Sequence, residues 1–174
     1  MSRISFDLTK IRAVVFDVDG VLSPSTIPIG DDGIPVRMAN IKDGYALQLA
    51  VRAGLKIAII TGANTPNIVV RYRTLGINDV FLKAGEKLPV LNKWLADNNL
   101  SLSEIAYVGD DIPDIPCLKS AGLSVAPADA AADVKALATY ISPADGGYGV
   151  ARDLIEQILK AQGHWLSENL AFGW

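Results

Sequence analysis

The feature of this sequence that most constrains its fold is a set of short apolar runs, each followed by turn residues. Four of these runs lack the polar alternation of a half-exposed strand: residues 13–16, 57–60, 105–108 and 123–126. Continuous apolar runs of this length are typical of strands in a parallel sheet that is covered on both faces. The sequence therefore predicts four buried strands, and a further short strand near Val80.

The stretches between these runs carry helical patterns. Helices are predicted over about 43–53, 65–74, 86–98 and 150–162. Gly54 and Gly76 follow the first two, and a glycine just past a helix is a common C-terminal cap. Strands that alternate with helices indicate βαβ units with right-handed crossovers. We therefore expect an α/β fold with a doubly wound, mostly parallel, Rossmann-like sheet.

One stretch, residues 23–41, interrupts this alternation. Pro24, Pro28 and Pro35 disfavour a helix there, and turn-forming residues occupy positions 30–33. Two extended segments around such a turn are typical of a hairpin. The sequence predicts a β-hairpin that protrudes after the first strand.

Composition excludes several classes of protein. The 174 residues suit one domain, since domains commonly have about 100–200 residues. The single cysteine, Cys117, excludes an intramolecular disulfide and a cysteine-based zinc site, and the single histidine, His164, argues against histidine-dependent catalysis. A net charge of −3 without a block of basic residues argues against a nucleic-acid partner. Because no apolar run could span a membrane and residues 1–10 lack a signal core, we expect a cytoplasmic protein without a membrane partner.

Polar residues follow the predicted strands. In a parallel sheet the carboxyl ends of the strands share one edge, where ligands bind. The residues predicted to meet at that edge are Asp17, Asp19, Thr61, Gly62, Lys87, Asp110, Asp111 and Asp114. Carboxylates brought together repel one another unless a cation neutralises them, and hard oxygen ligands favour Mg²⁺. A hydroxyl, loop amides and an ammonium group are the donors that phosphoryl oxygens require, so this edge is predicted to bind Mg²⁺ and a phosphate ester.

The nucleophile predicted for this site is a carboxylate, because neither Cys117 nor His164 belongs to the set. Asp17 is the better placed candidate, directly at the end of its strand, and its attack would give an aspartyl-phosphate intermediate. Asp19, two residues further on, is suited to protonate the leaving oxygen and then to deprotonate water. The sequence thus predicts a phosphatase with two carboxylates in different roles.

Four motifs occur in a characteristic order along the chain. They are Phe-Asp-Val-Asp-Gly-Val at 16–21, Thr-Gly at 61–62, Lys87, and Gly-Asp-Asp-Ile-Pro-Asp at 109–114. In residue type, order and strand context they resemble the four motifs of the haloacid dehalogenase superfamily of phosphatases. The resemblance covers both the acidic residues and the two donors of the predicted site.

This resemblance implies a role for each motif residue. Asp17 is implied as the nucleophile and a Mg²⁺ ligand, and Asp19 as the acid/base that also binds Mg²⁺ through its main-chain carbonyl. Asp110 would complete the metal site, and Asp114 would support it or orient Lys87. The residues implied to hold the phosphoryl group are Thr61 and Lys87.

The spacing of the motifs bears on how the site is covered. Many members of the superfamily carry a cap domain after the first or second motif, but here these intervals have room only for the hairpin, helices and strands already predicted. An open site either accepts a macromolecular substrate or is covered by a neighbouring subunit. We expect a capless homo-oligomer, a tetramer, in which the hairpin and the tail over 163–174 cover a neighbour's site. The aromatic residues of that tail are Trp165, Phe172 and Trp174.

Further segments resemble one family of the superfamily, the 3-deoxy-D-manno-octulosonate 8-phosphate phosphatases. These segments are residues 17–23, 40–45, 109–114 and 146–152. The resemblance implies a Mg²⁺-dependent tetramer that releases phosphate from this sugar acid during the synthesis of lipopolysaccharide precursors. The residues that match its substrate-contacting positions are Asn40, Lys42, Asp43, Gly44 and Arg71.

Two alternatives stay open at this point. Family members often have arginine directly after Thr-Gly, where this chain has Ala63, and Lys42 stands where arginine is common. The first alternative is therefore a phosphatase for a related nine-carbon keto-sugar acid phosphate or another small sugar phosphate. The second, remote alternative is a phospho-accepting, receiver-like signalling domain. In receiver domains an acidic pair comes first along the chain and the phospho-acceptor aspartate follows on a later strand. Here the pair Asp17 and Asp19, which contains the predicted nucleophile, comes first and Asp110 comes last, so this alternative is disfavoured.

Overall fold

The structure is a computed structural model that describes residues 2–166. Its strands are β1 Ala13–Phe16, β2 Lys56–Ile60, β3 Asp79–Phe81, β4 Ile105–Val108, β5 Leu123–Ala126 and β6 Tyr140–Ile141. Its α-helices are α1 Ile41–Arg52, α2 Pro66–Arg73, α3 Lys87–Asp97, α4 Ile115–Ser120, α5 Ala132–Leu137 and α6 Val150–Ala161. Short 3₁₀ helices cover Leu8–Lys10, Leu102–Glu104 and Ile112–Asp114.

The six strands form one sheet in the order β3-β2-β1-β4-β5-β6, and all of its pairs are parallel. β1 is central, so that Phe16 lies opposite Ile59 of β2 and opposite Val108 of β4. The chain winds outward from β1 in both directions, which confirms the doubly wound α/β sheet. The sequence pattern does not predict β6, because a strand of two residues is too short to show a period.

Both faces of the sheet are covered, which explains why the strands lack polar alternation. Val14 and Phe16 of β1 pack on one face with apolar residues of α1 and α6. Val15 packs on the other face, in a cluster that includes Leu91 and Trp94 of α3. All four residues of β1 are buried. The strands predicted from the four apolar runs are confirmed.

The predicted helices are present, and side-chain capping fixes the start of α1. α1 begins at Ile41, slightly before the predicted start, because the Asn40 side chain accepts hydrogen bonds from the amides of Lys42 at 2.9 Å and Asp43 at 3.2 Å. The helix ends just before Gly54, whose φ of +91° is the left-handed conformation that favours glycine after a helix.

The hairpin segment, residues 23–41, turns back on itself as predicted, but it lacks the two-stranded ladder of a regular β-hairpin. A single antiparallel bridge joins Ile29 and Pro35, and the Gly30 amide donates to the Ile34 carbonyl at 2.9 Å. The prolines remove amide donors that a ladder would need. The predicted β-hairpin is therefore present, paired by one antiparallel bridge instead of a regular ladder. The described chain holds only residues 17–40, most of them in the hairpin segment, between β1 and α1, and only residues 61–65 between β2 and α2, so neither position carries a cap domain.

The C-terminal tail is described as far as Leu166. Trp165 packs against the core cluster that contains α1 and α6, and the Arg152 guanidinium lies 4.5 Å from the centre of its ring. This geometry is a cation–π contact. The predicted interface residues Phe172 and Trp174 lie outside the described residues.

Within residues 2–166, none of the helices has both the length and the apolar character needed to cross a lipid bilayer.

Candidate active site

The polar residues predicted to meet at the carboxyl edge of the sheet do so. They line a cleft of about 470 Å³, called the acidic cleft below. The predicted residues in its lining are Asp17, Asp19, Thr61, Gly62, Lys87, Asp110, Asp111 and Asp114. The convergence follows from the strand order, because β1, β2 and β4 are neighbours and their carboxyl ends share one edge.

Lys87 is the buried cation of the acidic cleft. It is the first residue of α3 and is only 5 % exposed. Its Nζ lies 2.8 Å from Oδ2 of Asp17 and 2.8 Å from Oδ1 of Asp114. Burial disfavours the charged form, but the two carboxylates outweigh burial and raise the pKa of Lys87 above its usual value. Lys87 is therefore held as an ammonium group beside Asp17.

Asp114 holds this arrangement in place from the interior. Its Oδ1 accepts hydrogen bonds from Nζ of Lys87 and from the Tyr107 hydroxyl, both at 2.8 Å. Its Oδ2 accepts from the Asp110 amide at 3.2 Å. These contacts are those of a residue that orients Lys87 and the loop after β4. Tyr107 is not predictable from the sequence as part of the site, because a tyrosine within a continuous apolar run is typical of the core.

Asp17, Asp110 and Asp114 form the acid cluster, in which one carboxylate oxygen of each residue lies within 4.8 Å of the others. Burial, followed by the charge of Asp114, raises the pKa of Asp17 to about 6. Burial, followed by the charge of Asp17, raises the pKa of Asp110 to about 7. Carboxylates in this state are stabilised by a divalent cation, and their hard oxygens suit Mg²⁺. Asp114 accepts three hydrogen bonds, from Lys87, Tyr107 and the Asp110 amide, which leaves Asp17 and Asp110 as the stronger candidates for metal ligands.

Gly20 allows Asp110 to approach the loop after β1. The φ of Gly20 is +83°, and all three carboxyl atoms of Asp110 lie within 2.8 Å of the position that a Cβ would occupy. Any larger residue would displace that carboxyl group from the acid cluster. The glycine of the Asp-Gly turn is therefore required by a close approach as well as by its backbone conformation.

Thr61 and Gly62 lie at the end of β2. Thr61 is buried, and its amide donates to the carbonyl of Phe81 at 3.0 Å. Its hydroxyl oxygen accepts a hydrogen bond from the Ala63 amide at 3.2 Å. That bond uses an oxygen lone pair, so the O–H can donate to a phosphoryl oxygen. Gly62 is exposed in the lining of the acidic cleft.

Asp19 lies at the rim of the cleft, where it is paired with an arginine that the sequence analysis does not identify. Nε of Arg37 donates to Oδ1 of Asp19 and Nη2 donates to Oδ2, both at 2.7 Å. Nη1 of Arg37 donates to Oγ1 of Thr65 at 3.0 Å. The hydrogen bonds to Asp19 raise the pKa of Arg37. The available sequence signal is that Arg37 is the one basic residue of the hairpin segment.

The predicted substrate-binding residues 40–44 lie at the start of α1. None of residues 40–44, all of which the structure describes, lines the acidic cleft. Asn40 caps α1, and its Nδ2 donates to the carbonyl of Gly147 at 3.2 Å. Lys42 is exposed, while Gly44 is buried within the helix. Only Lys42 among these three presents a charged side chain to solvent.

Asp43 connects α1 to α6. Its carboxylate is buried, and Oδ1 accepts a hydrogen bond from the Arg152 amide at 2.7 Å, in the first turn of α6. A carboxylate at a helix N-terminus satisfies amides that lack partners within the helix. Burial nevertheless raises the pKa of Asp43 to about 6. The contacts of Asp43 are thus those of a packing residue.

Arg71, also predicted to bind substrate, lines a second cavity of about 420 Å³ between the hairpin segment and α2. Arg37 and Thr65 line the same cavity, together with apolar residues such as Val36. Because Arg37 pairs with Asp19 of the acidic cleft, this ion pair lies between the two cavities. The structure therefore places the Arg37 guanidinium against a predicted catalytic residue, and it places Arg71 in the cavity that adjoins this ion pair on the side of the hairpin segment.

Comparison with known proteins agrees with this geometry. Residues 63–154 match the family model of a haloacid dehalogenase-like hydrolase. The 3-deoxy-D-manno-octulosonate 8-phosphate phosphatase of Escherichia coli is 37 % identical over 154 residues, which cover 88 % of this chain and 82 % of that protein. The chain belongs to the 3-deoxy-D-manno-octulosonate 8-phosphate phosphatase family of haloacid dehalogenase-like hydrolases.

Solved structures of this family share the fold. The crystal structure of the 3-deoxy-D-manno-octulosonate 8-phosphate phosphatase of Yersinia pestis matches with a TM-score of 0.87 at 34 % identity, covering 91 % of this chain and 85 % of that one. The Moraxella catarrhalis phosphatase, in complex with a magnesium ion, a phosphate ion and a KDO molecule, matches with a TM-score of 0.87 at 31 % identity, covering 91 % of each chain. The capless, all-parallel α/β architecture is therefore that of the family.

Proposed function

We propose that this chain is a Mg²⁺-dependent phosphomonoesterase that converts 3-deoxy-D-manno-octulosonate 8-phosphate into the free sugar acid and phosphate, in the synthesis of lipopolysaccharide precursors. The observation that carries the proposal is the contact of Lys87 Nζ with both Asp17 and Asp114 within the acidic cleft. A buried ammonium group fixed beside a buried carboxylate is suited to bring a phosphoryl group to that carboxylate. Membership of the phosphatase family supports the same chemistry.

The first step is transfer of the phosphoryl group to Asp17. A carboxylate oxygen of Asp17 attacks phosphorus, and the bond between phosphorus and the ester oxygen of the sugar breaks. Thr61 and Lys87 stabilise the phosphoryl oxygens by hydrogen bonds, and Asp19 gives its proton to the leaving sugar oxygen. The products of this step are the sugar acid and an aspartyl phosphate.

The second step returns the enzyme to its starting state. Asp19, now a carboxylate, removes a proton from a water molecule as that water attacks phosphorus. The bond between phosphorus and Asp17 breaks, inorganic phosphate leaves and Asp17 is again a carboxylate. Asp114 keeps Lys87 in place throughout, because it accepts hydrogen bonds from both Lys87 and Tyr107.

Asp17 and Asp110 would hold the magnesium ion, with the main-chain carbonyl of Asp19. When bound, the ion offsets the repulsion between the carboxylates and the phosphate and withdraws charge from the phosphoryl oxygens. The raised pKa values of Asp17 and Asp110 support this assignment, because burial and then the neighbouring carboxylates disfavour the charged forms, which a bound cation would stabilise.

The cations outside the acid cluster suit a substrate that carries a carboxylate as well as a phosphate. Arg37 and Arg71 line the cavity beside Asp19, and Lys42 is exposed at the start of α1. Guanidinium groups bind carboxylates through paired hydrogen bonds. Ala63, in place of the arginine common in the family, favours testing related keto-sugar acid phosphates alongside the eight-carbon substrate.

The proposal is tested by measuring phosphate release from a panel of keto-sugar acid phosphates with and without Mg²⁺. We expect the Asp17→Asn variant to fold normally and to release no phosphate, since the amide is not a nucleophile. Asp133→Asn serves as the matched control, because Asp133 is an exposed carboxylate on α5. Unchanged phosphate release by Asp17→Asn would refute the assignment of the nucleophile.

We also propose that the chain forms a homo-tetramer in which the hairpin segment, with the tail, covers a neighbouring site. The active site is not covered by a cap domain, and the hairpin segment beside it exposes four large apolar side chains: Ile29, Ile34, Val36 and Met38. Exposed apolar groups on a protruding loop are typical of an interface. Mass measurement in solution tests this proposal. We expect Ile34→Asp to dissociate the tetramer, and Asp31→Asn, the matched control, to leave its mass unchanged. A wild-type monomer that still discriminates among small substrates would contradict it.

We propose a cytoplasmic location for the reaction. The support is the sequence: the chain has a single cysteine, Cys117, which is buried as a free thiol in the structure. A lone free thiol suits a reducing compartment. Fractionation of the cells that produce the protein tests this placement, and recovery in an extracytoplasmic fraction would contradict it.

A further inference from the structure

Arg37 binds Asp19, the side chain that must transfer protons in the proposed reaction. Both carboxylate oxygens of Asp19 accept hydrogen bonds at 2.7 Å from the guanidinium group. The Arg37 side chain is only 13 % exposed, whereas that of Asp19 is 35 % exposed, so the guanidinium group is largely shielded from water while Asp19 stays open on the side of the acidic cleft. A paired, charge-assisted contact of this kind is strong and geometrically specific. In this arrangement both oxygens of Asp19 are bound by the guanidinium group, so a contact between Asp19 and the leaving sugar oxygen would have to compete with Arg37.

A second carboxylate could replace Asp19 as the partner of Arg37. The planar guanidinium fork binds any carboxylate in the same paired manner, so exchanging one for another changes little in its hydrogen bonding. The proposed substrate carries such a carboxylate at the end of the sugar opposite to the phosphate. The residue directly after Thr61-Gly62 is Ala63, whose methyl group cannot form a hydrogen bond with that carboxylate.

The surroundings of Arg37 allow this exchange. The residue belongs to the hairpin segment, whose two arms are joined by one bridge, and its side chain makes one further hydrogen bond, to Oγ1 of Thr65 at 3.0 Å. Arg37 also lines the cavity of about 420 Å³ beside Asp19. A sugar acid bound across the two cavities would place its carboxylate on the side of Arg37 and its phosphate on the side of Lys87.

We propose that Arg37 is a specificity-determining residue: it holds Asp19 inactive in the free enzyme and releases it by exchanging Asp19 for the carboxylate of the substrate. The released Asp19 takes a proton from solvent before it protonates the leaving oxygen, regains one from the attacking water, and returns that proton to solvent when its pair with Arg37 re-forms. This inference rests on the proposed function. Phosphate esters without a carboxylate leave the Arg37–Asp19 pair closed and react slowly, whatever their affinity for the phosphoryl site. The same residue thus binds the correct substrate and restrains the reaction with others.

The test compares two substrates in several variants. The substrates are 3-deoxy-D-manno-octulosonate 8-phosphate and its analogue with the carboxylate reduced to an alcohol. For Arg37→Ala we expect KM for the acid to rise about 10–100-fold, the range that corresponds to loss of hydrogen bonds between charged groups. We expect kcat for the reduced analogue to increase, because Asp19 is released. The preference of kcat/KM for the acid over the analogue should therefore largely disappear.

Two further variants separate this role from a structural one. Arg37→Lys keeps the charge but not the paired geometry, so its preference for the acid should lie between those of wild type and Arg37→Ala. It also keeps the proposal testable where the alanine variant fails to fold. Arg73→Ala is the matched control, because Arg73 is an exposed arginine at the end of α2. Its kinetics should equal those of wild type.

The outcomes distinguish the two proposals. Loss of preference in Arg37→Ala, with a gain in kcat for the reduced analogue, supports the exchange. If wild type strongly prefers the acid and Arg37→Ala keeps the same preference, the exchange is refuted while the proposed function stands. If wild type releases phosphate from neither substrate, the proposed function is refuted and the role of Arg37 with it.

Discussion

Replacing Gly20 by alanine separates the two reasons why a glycine is needed at this position. Gly20 has φ +83°, and the carboxyl atoms of Asp110 lie within 2.8 Å of the position of an added Cβ. The backbone conformation alone makes a non-glycine residue unfavourable by about 1–2 kcal/mol. The close approach adds a different effect, since the atoms in the way belong to a side chain that can turn aside. The variant is therefore expected to fold, with Asp110 displaced from the acid cluster.

The expected magnitudes differ for stability and for metal binding. A loss of about 1–2 kcal/mol lowers the melting temperature of a chain of this size by about 2–8 °C. Displacing a metal ligand is expected to weaken Mg²⁺ binding by at least the roughly 10–100-fold found for residues that only support ligands. The Mg²⁺ concentration that gives half-maximal phosphate release should therefore rise by that factor or more.

Gly54→Ala is the matched control. Gly54 has φ +91°, and nothing lies within 4 Å of its added Cβ, so this variant carries the backbone effect without the clash. Both variants should lose similar stability in thermal denaturation, whereas only Gly20→Ala should require more Mg²⁺ in a titration of phosphate release. If Gly20→Ala shows the Mg²⁺ dependence of wild type, the argument that Gly20 makes room for a metal-binding Asp110 is refuted.

Three further predictions concern the carboxylates and the metal. Asp114→Asn removes a charged partner of Lys87, and we expect kcat to fall at least about tenfold in steady-state assays, because the loss of one hydrogen bond to a charged group corresponds to about 1.5–3 kcal/mol; unchanged kcat would contradict this. Asp43 has its folded-state pKa raised to about 6, so its contribution to stability is full below pH 4 and is lost as pH rises through 6. Urea unfolding should show Asp43→Asn gaining about 2–3 kcal/mol relative to wild type between pH 4 and 7, and a constant difference would exclude this linkage. Chelation should abolish phosphate release and added Mg²⁺ should restore it, while activity in excess chelator would argue against a metal site at Asp17 and Asp110.

The fold is predictable from the sequence wherever one local signal decides the structure. A run such as 105–108 is too apolar to be exposed and too short for a buried helix, so a strand in a covered sheet is the remaining choice. The end of α1 is predictable because Gly54 adopts a conformation that other residues avoid. The start of α1 depends instead on the Asn40 side chain, and β6 depends on pairing with β5, which no local pattern indicates. The turn of the hairpin segment is predictable from residues 30–33, whereas its pairing is limited to one bridge because its prolines cannot supply amides.

The acidic cleft is predictable for a topological reason. Parallel strands that leave a sheet at one edge carry their next residues to the same place, so Asp17, Thr61 and Asp110 are brought together before any side-chain contact is considered. Tyr107 and Arg37 reach the same place by other routes. Tyr107 projects from within a strand, and Arg37 arrives on a loop whose path is set by contacts distant in sequence. Residues such as Tyr107 and Arg37 can be assigned to the site only from the folded structure.

The segment at 40–44 shows how one stretch of sequence can serve packing and function together. Asn40 contacts the Gly147 carbonyl and Asp43 contacts the Arg152 amide, so these two side chains fix the start of α1 against the loop and helix around α6. Asn40 also lies at the end of the hairpin segment, three residues after Arg37. A change at Asn40 would therefore shift the origin of the loop that carries Arg37, and with it the contact between Arg37 and Asp19. Substrate preference can depend on this segment even where its own side chains do not touch the substrate, because it sets the position of the side chain that does.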